Sequence, residues 1–591
     1  MKCLSCDAIV LAVFGIVLVS PHALPPGLSG MQDLPAQSSA YVPLVAPPMD
    51  AAPASDEEWR GHGRDLREQR YSPLDQISTI NVDRLGIAWT YDIPRRGARL
   101  EATPIVVDGV MYATGPMSTV FALDAITGRE LWYWDPGIPG EQAGGPRACC
   151  GDVNRGVAVH GDKVFVGLLD GRLVALSRQN GRVVWSVQTT PAGEDYSITG
   201  APRVFRDKVV IGNGGAEYGV RGYVTAYNVE DGEQLWRTYT VPGNPEDGFE
   251  TQAMEFAAET WNGRWWEIGG GGPGWDAMVY DDDLDLLYIG TGNGSPWNRD
   301  HRSPGGGDNL YLSSIVALDG DTGEYRWHYQ TTPGDDWDYT ATQPLMLLDI
   351  EIEGEMREVI VQAPKNGFFY VIDRVNGEFI SAEAFADDVT WASGIDDSGR
   401  PIETPEARYG QTGQGVYLAP GPTGAHNWPP MAFNRQTGLV YLPAKNNNYF
   451  YAMTEGFDYT KGAWNTGTVL RGGQGVIRPQ IQGPRTFFLA WDPVENHEVW
   501  RVESQGQNGG ALSTAGNLVF WGSGDQMIAF DANSGQEIWA AEVGRGTGSP
   551  MTYAINGRQY ITILGGRATR GDRPDADAPT VWTFSLDVSG N

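Results

Sequence analysis

Short apolar runs recur along the chain, each four or five residues long and bounded by glycine or an acidic or amide residue. Val164-Phe165-Val166-Gly167 and Leu287-Tyr288-Ile289-Gly290 are two of them. Runs of that length between turn residues predict buried β-strands. Many are followed by a copy of one template, Ala-x-Asp-x-x-Thr-Gly-x-x-x-Trp. Good copies run Ala122 to Trp132, Ala175 to Trp185, Ala226 to Trp236, Ala317 to Trp327 and Ala529 to Trp539. Ala490 to Trp500 keeps both ends but has Asn496 where the others have glycine, and two weaker copies surround Gly377 and Gly438. Each copy reads as strand, tight turn, strand, because an Asn-Gly, Thr-Gly or Asp-Gly pair supplies the positive φ of a hairpin turn. Eight copies, with four strands to each, predict an all-β fold: an eight-bladed β-propeller in which the recurring tryptophan docks one blade on the next. Pairing of N- and C-terminal strands is expected to close the circle. The intervals between copies are uneven. The longest, Trp236 to Ala317, predicts loops on a functional face.

Composition supports this reading. The 591 residues include 78 glycines and 21 tryptophans, as suits many tight turns around an aromatic core. The net charge of −32 argues against a nucleic-acid partner, whose phosphates would repel the chain. It suits either a small basic protein partner or simply a strongly solvated surface. Lys2 followed by the apolar run Ala8 to Val19 reads as a signal peptide over 1–23, too short to span a bilayer. Residues 24–55, rich in Pro, Ala and Ser, read as a linker, and the propeller is expected over 56–591. No other stretch resembles a membrane span. The mature protein is expected to be exported and periplasmic.

Of four cysteines, Cys3 and Cys6 lie in the targeting segment, so the mature chain keeps only the adjacent pair Cys149–Cys150. An exported protein meets an oxidising compartment that permits a disulfide. A bond between neighbours closes no useful loop, so its value would be a rigid, flat sulfur surface. The other reading is two reduced thiols packed as small hydrophobes. The Asp281-Asp282-Asp283 run lacks the spacing of a helix-loop-helix calcium site. Gly269 to Gly272 lacks the strand-to-helix context of a dinucleotide fingerprint. The seven histidines form no zinc spacing.

The paired cysteines combined with the tryptophan repeat carry a resemblance. YSPLDQI at 71–77, LEATPIVVDGVMY at 100–112, RACCGDVNRGVAV at 147–159 and TGAPRV at 199–204 belong to it. So do IGNGGAE at 211–217, LYIGTGNGSPWNR at 287–299, TTPGDDWDYTATQP at 331–344, APKNGFF at 363–369 and GAHNW at 424–428. From Trp59 to Phe584 the chain resembles pyrroloquinoline quinone (PQQ)-dependent alcohol dehydrogenases, in particular the quinoprotein part of periplasmic quinohaemoprotein enzymes. The resemblance implies oxidation of alcohols to aldehydes or ketones. It places PQQ, a flat quinone with three carboxylates, between Cys149–Cys150 and Trp275. Arg155 and Thr199 would meet its carboxylates. Glu101, Asn427 and Trp428 would contact its edge, with Gly215 and Ala216 completing the cofactor set. Lys365 would bond the reactive quinone oxygens. Glu217, Asn293 and Asp338 would hold a hard cation, and Asp338 would act as general base. Lanthanide-using relatives carry a further Asp two residues after that base. Thr340 stands there, which implies Ca²⁺. A calcium-bound carboxylate is a weak base, so turnover is expected to favour raised pH.

The chain departs from the family in several places. It contains no Cys-x-x-Cys-His haem motif, so electrons are expected to leave to a separate acceptor such as a cytochrome c, with the acidic surface steering a basic partner. Pro273 stands where relatives commonly have Thr, while Gln507 and Leu564 stand where Trp is common. The two lost tryptophans predict a wider substrate pocket and a preference for alcohols bulkier than ethanol. Two other readings stay open. One is a cofactor-free scaffold propeller of the cell envelope. The other is a dehydrogenase of polyols or polymeric alcohols.

Overall fold

The computed structural model describes residues 56–94, 100–140, 145, 148–191, 193–412, 415–470, 476–566 and 578–586. The proposed signal peptide and linker, with Cys3 and Cys6, lie outside these residues. Among the described residues are eight sheets of four or five strands, a two-stranded sheet and a three-stranded sheet. Consecutive strands pair antiparallel within a sheet, as in Ile105–Val107, Val110–Thr114, Val120–Asp124 and Glu130–Trp134. One sheet is assembled from both ends of the described chain. Leu85–Asp92 pairs antiparallel with Thr580–Leu586, which follows Met551–Ile555 and Arg558–Gly565. Tyr71–Ser72 adds a parallel fifth strand to Asn508–Thr514. The apolar clusters lie between neighbouring sheets: one joins Ile105, Tyr112, Val120 and Trp132 to Val159, Val164, Val174 and Leu176. No helix of the described residues is long and apolar enough to cross a membrane.

The repeat turns join third and fourth strands, and their tryptophans lie on the turns of the next sheet. Trp132 donates its indole N–H to Arg178 O at 2.8 Å, Trp185 to Val229 O at 3.1 Å and Trp500 to Ala532 O at 3.1 Å. Each ring covers a glycine with positive φ. A Cβ at Gly181 would stand 2.6 Å from Trp132 Cε3, and one at Gly377 would stand 2.5 Å from Trp327 Cε3. Glycine is required there twice over, by the turn and by the ring.

Three positions differ from the repeat reading. Gly438 does not mark a blade of its own: its turn joins Ala432–Asn434 to Leu439–Lys445, the first two strands of the sheet that also contains the 490–500 copy. A turn motif specifies a hairpin but not its rank within a sheet. The sheet shared by the chain ends has no such turn, and Trp89 on Leu85–Asp92 covers Gly128 and bonds Ala125 O at 3.2 Å. Where Asn496 replaces the turn glycine, the preceding sheet has Ser381 in place of tryptophan. Asn496 Nδ2 donates to Ser381 Oγ at 2.9 Å, so the two departures compensate each other.

Candidate active site

At one end of the sheets, loops entering first strands and loops between second and third strands converge on a cavity of about 560 Å³. Glu101 precedes Ile105–Val107, Arg155 precedes Ala158–His160, Thr199 precedes Arg203–Phe205, and Trp275 precedes Met278–Asp281. Asp338 precedes Leu345–Ile352, and Asn427–Trp428 precede Ala432–Asn434. Gly215, Ala216 and Glu217 follow Lys208–Gly212, Asn293 follows Leu286–Gly290, and Lys365 follows Glu355–Gln362. All of these side chains or backbones line the cavity, together with Cys149 and Cys150.

One wall is a buried ionic cluster. The Arg155 guanidinium lies 2.8 Å from Glu101 Oε2, donates to Thr199 Oγ1 at 2.7 Å and sits 4.7 Å from the centre of the Trp275 ring. Asp276 Oδ2 stands 3.7 Å from Arg155 Nε. A second group of lining residues gathers carboxylate and amide oxygens. Glu217 Oε1 accepts from Asn293 Nδ2 at 3.3 Å and from Trp297 Nε1 at 3.2 Å. Lys365 Nζ donates to Asp338 Oδ2 at 2.9 Å, with both residues buried. Burial pushes the Asp338 carboxyl well above its ordinary range. Lys365 works against that rise, and Glu217 adds to it. Burial opposes the charge on Lys365, but the neighbouring Asp338, with Glu217 beside it, raises its pKa above the ordinary value. The His426 ring is held between Ala363 O (2.6 Å from Nδ1) and Pro429 O (2.7 Å from Nε2). It thereby ties the segment carrying Asn427 and Trp428 to the strand end before Lys365.

Cys149 and Cys150 face the cavity as two thiols with sulfurs 2.8 Å apart, not as a disulfide. That separation is beyond the roughly 2.05 Å of an S–S bond. Pro273 and Gln507 line the cavity, but Leu564 does not. Leu564 is fully buried in a core cluster that includes Val543, Ile563 and Val581. Thr340 is buried and turned away, bonded to Thr342 and Gln343.

The structure adds residues to which sequence reasoning gave no role. Trp297 lies inside the quoted 287–299 motif, yet only its contact with Glu217 reveals its use. Asp276, next to Trp275, was equally visible as a neighbour. Tyr449, Trp464 and Leu470 form an outer wall from a long excursion between Leu439–Lys445 and Thr486–Asp492, where no motif marks them.

An array of four-stranded sheets around a cavity that pairs a buried arginine wall with a carboxylate wall defines a β-propeller cofactor-binding domain. The family model described as PQQ, glucose/ethanol/alcohol dehydrogenase, beta-propeller domain, matches residues 59–382 and 490–561, and the chain belongs to this family. It is 52% identical over 516 residues to the quinohemoprotein alcohol dehydrogenase ADH IIB of Pseudomonas putida, covering 86% of this chain and 73% of that protein. It is 47% identical to the 1-butanol dehydrogenase (cytochrome c) of Thauera butanivorans, covering 90% of this chain and 78% of the relative. The crystal structure of quinohemoprotein alcohol dehydrogenase from Comamonas testosteroni superposes with a TM-score of 0.85 at 47% identity. That match covers 91% of this chain and 82% of that one.

Proposed function

We propose that the protein is a PQQ- and Ca²⁺-dependent alcohol dehydrogenase that oxidises alcohols to aldehydes or ketones. The observation that carries this is the convergence on one cavity of a cationic wall, a flat indole face and two buried carboxylates. The cavity volume lies within the ordinary range of ligand pockets, roughly 300–1,000 Å³. In this reading a flat tricarboxylate would lie between Trp275 and Cys149–Cys150, with its anionic edge toward Arg155 and Thr199. Glu217, Asn293 and Asp338 offer only hard oxygen donors, once the Asn293 amide turns its oxygen inward. The O and N of an amide are interchangeable in placement. Two buried carboxylates facing one lysine are a setting that a divalent cation neutralises. Thr340 supplies no further carboxylate, which favours Ca²⁺ over a lanthanide.

When bound there, PQQ would supply the hydride acceptor and the cation a Lewis acid beside it, held by Glu217, Asn293 and Asp338. The chain's own residues do the rest. Asp338 Oδ takes the hydroxyl proton as the carbinol C–H bond breaks, leaving the carbonyl product. Lys365, 2.9 Å away, favours the ionised form of Asp338 against the effect of burial, and its ammonium would be offered to charge growing at the quinone oxygens. Trp297 and Asn293 fix Glu217. Tyr449, Trp464, Leu470 and Gln507 form the wall that a substrate chain would meet.

We place the signal peptide at 1–23, the linker at 24–55 and one propeller over 56–591, exported to the periplasm. Its eight larger sheets form eight blades, supported by the pairing of Leu85–Asp92 with Thr580–Leu586 and by the tryptophan contacts between sheets. Electrons pass to a separate acceptor, a cytochrome c, in keeping with the name of the butanol-oxidising relative and the net charge of −32. The test is dye-linked alcohol oxidation by the apoprotein with PQQ and Ca²⁺ added singly or together. Activity that needs both, and is lost in Asp338→Asn, supports the reading. A folded protein that binds no PQQ and oxidises no alcohol overturns it in favour of a scaffold propeller.

A further inference from the structure

Asp338 has a positive φ of 66°, a conformation that residues other than glycine adopt at a cost in energy. Something must hold it there, and the structure shows what does. Asp335 Oδ1 accepts the backbone N–H of Trp337 at 3.1 Å and that of Tyr339 at 2.9 Å. One carboxylate oxygen thus bridges the two residues that flank Asp338. Asp335 is fully buried, and no solvent competes for these bonds.

Asp335 is itself anchored. Arg302, 1% exposed, donates through Nη2 to Asp335 O at 2.6 Å and through Nη1 to Pro296 O and Trp297 O at 2.6 and 2.7 Å. Trp297 is the residue whose indole bonds Glu217. One guanidinium therefore spans the loop that holds Asp338 and the loop that clamps Glu217. The flanking rings are pinned on the far side, Trp337 by Ala407 O at 3.0 Å and Tyr339 by Pro420 O. Asp338 alone is left directed at the cavity.

We propose that Asp335 is the positioning residue for Asp338 and that it acts as a hydrogen-bond acceptor, not through its charge. Asparagine has the same acceptor oxygen in the same place, so Asp335→Asn keeps both bonds, while Asp335→Ala loses both. This rests on the catalytic reading of Asp338 but is separable from it, because the first readout is conformational. In crystal structures of the apoprotein variants, Asp338 keeps its positive φ in Asp335→Asn and leaves that region in Asp335→Ala. The second readout is calcium affinity by calorimetry: Asp335→Ala weakens it at least tenfold, and Asp335→Asn stays within threefold of the parent. The third is turnover in the loaded enzyme. There kcat falls at least tenfold in Asp335→Ala with KM within twofold, and Asp335→Asn restores it.

An Asp338 backbone unchanged in Asp335→Ala overturns the proposal. So does an Asp335→Asn variant as impaired as the alanine, which would make the charge the active feature. If Asp335→Ala does not fold, Asp335→Asn decides alone: retention within threefold supports the acceptor role, and a tenfold loss refutes it. A parent protein that shows no PQQ-dependent activity, with Asp338 still released in Asp335→Ala, would overturn the functional reading and leave the positioning role standing.

Discussion

Replacing Lys365 by methionine tests the electrostatics of the cavity most directly. Methionine keeps most of the length of the side chain and removes the charge together with its hydrogen bond to Asp338. In the parent, the ammonium stands 2.9 Å from Asp338 Oδ2, with the two side chains 8% and 10% exposed. Without it, Asp338 and Glu217 face one cavity with no cation between them. Breaking a buried pair by deleting one partner costs about 3–5 kcal/mol, because the surviving group stays buried without its partner. Unfolding entropy of about 2.1 cal/mol/K per residue over roughly 530 residues amounts to about 1.1 kcal/mol/K, so Tm falls by about 3–5 °C if the sheets melt as one unit. Millimolar Ca²⁺ should reverse the loss, since a divalent ion replaces the missing charge and no longer competes with the lysine. The Ca²⁺-induced rise in Tm is therefore larger in Lys365→Met than in the parent, while turnover falls. Scanning calorimetry of the apoproteins at pH 7, with and without Ca²⁺, measures both quantities. A metal-free variant within 1 °C of the parent, or a calcium shift no larger than the parent's, would refute the reasoning.

Three further outcomes are expected. Gly377→Ala combines a left-handed backbone, about 1–2 kcal/mol, with a Cβ driven against the Trp327 ring, about 1–3 kcal/mol. Gly438→Ala has the same φ sign and open space around its Cβ, so its loss of Tm should be the smaller of the two. Burial lowers the His328 pKa to about 4 from the ordinary 6.5. The unfolded chain then binds a proton that the folded one does not, and stability falls as pH drops from 6.5 toward 4, by at most about 3 kcal/mol. Urea melts across that range should show a shallower acid decline in His328→Phe. Gln507→Trp should narrow the outer cavity, lowering kcat/KM for branched or aromatic alcohols at least tenfold while leaving ethanol within threefold. Equal effects on both substrate classes would remove Gln507 as a determinant of size.

What the sequence determined by itself is local or chemical. Turn glycines with their Asn, Asp or Thr neighbours encode hairpins within a few residues, so the all-β class and most strand pairs are written in the repeat. The resemblance also named the residues that line the cavity, because each sits in a short motif with its own residue types. Tertiary structure decided what depends on distant partners. Gly438 reads like the other turns, and only the pairing of its strands makes it the first hairpin of a sheet already counted. Trp89 lies outside any copy of the repeat, and its place follows from Leu85–Asp92 meeting a strand almost five hundred residues away in the chain. Ser381 and Asn496 look like two separate defects until they are seen to bond each other. Leu564 stands in a position that suggests a pocket wall, yet it packs in the core. Asp335 is one more acid in an acid-rich chain until the bonds from Trp337 and Tyr339 show what it holds. Backbone dihedrals and turn chemistry act over a few residues and leave a mark in the local sequence. The convergence of loops from different sheets is set by packing between them, and no local pattern records it.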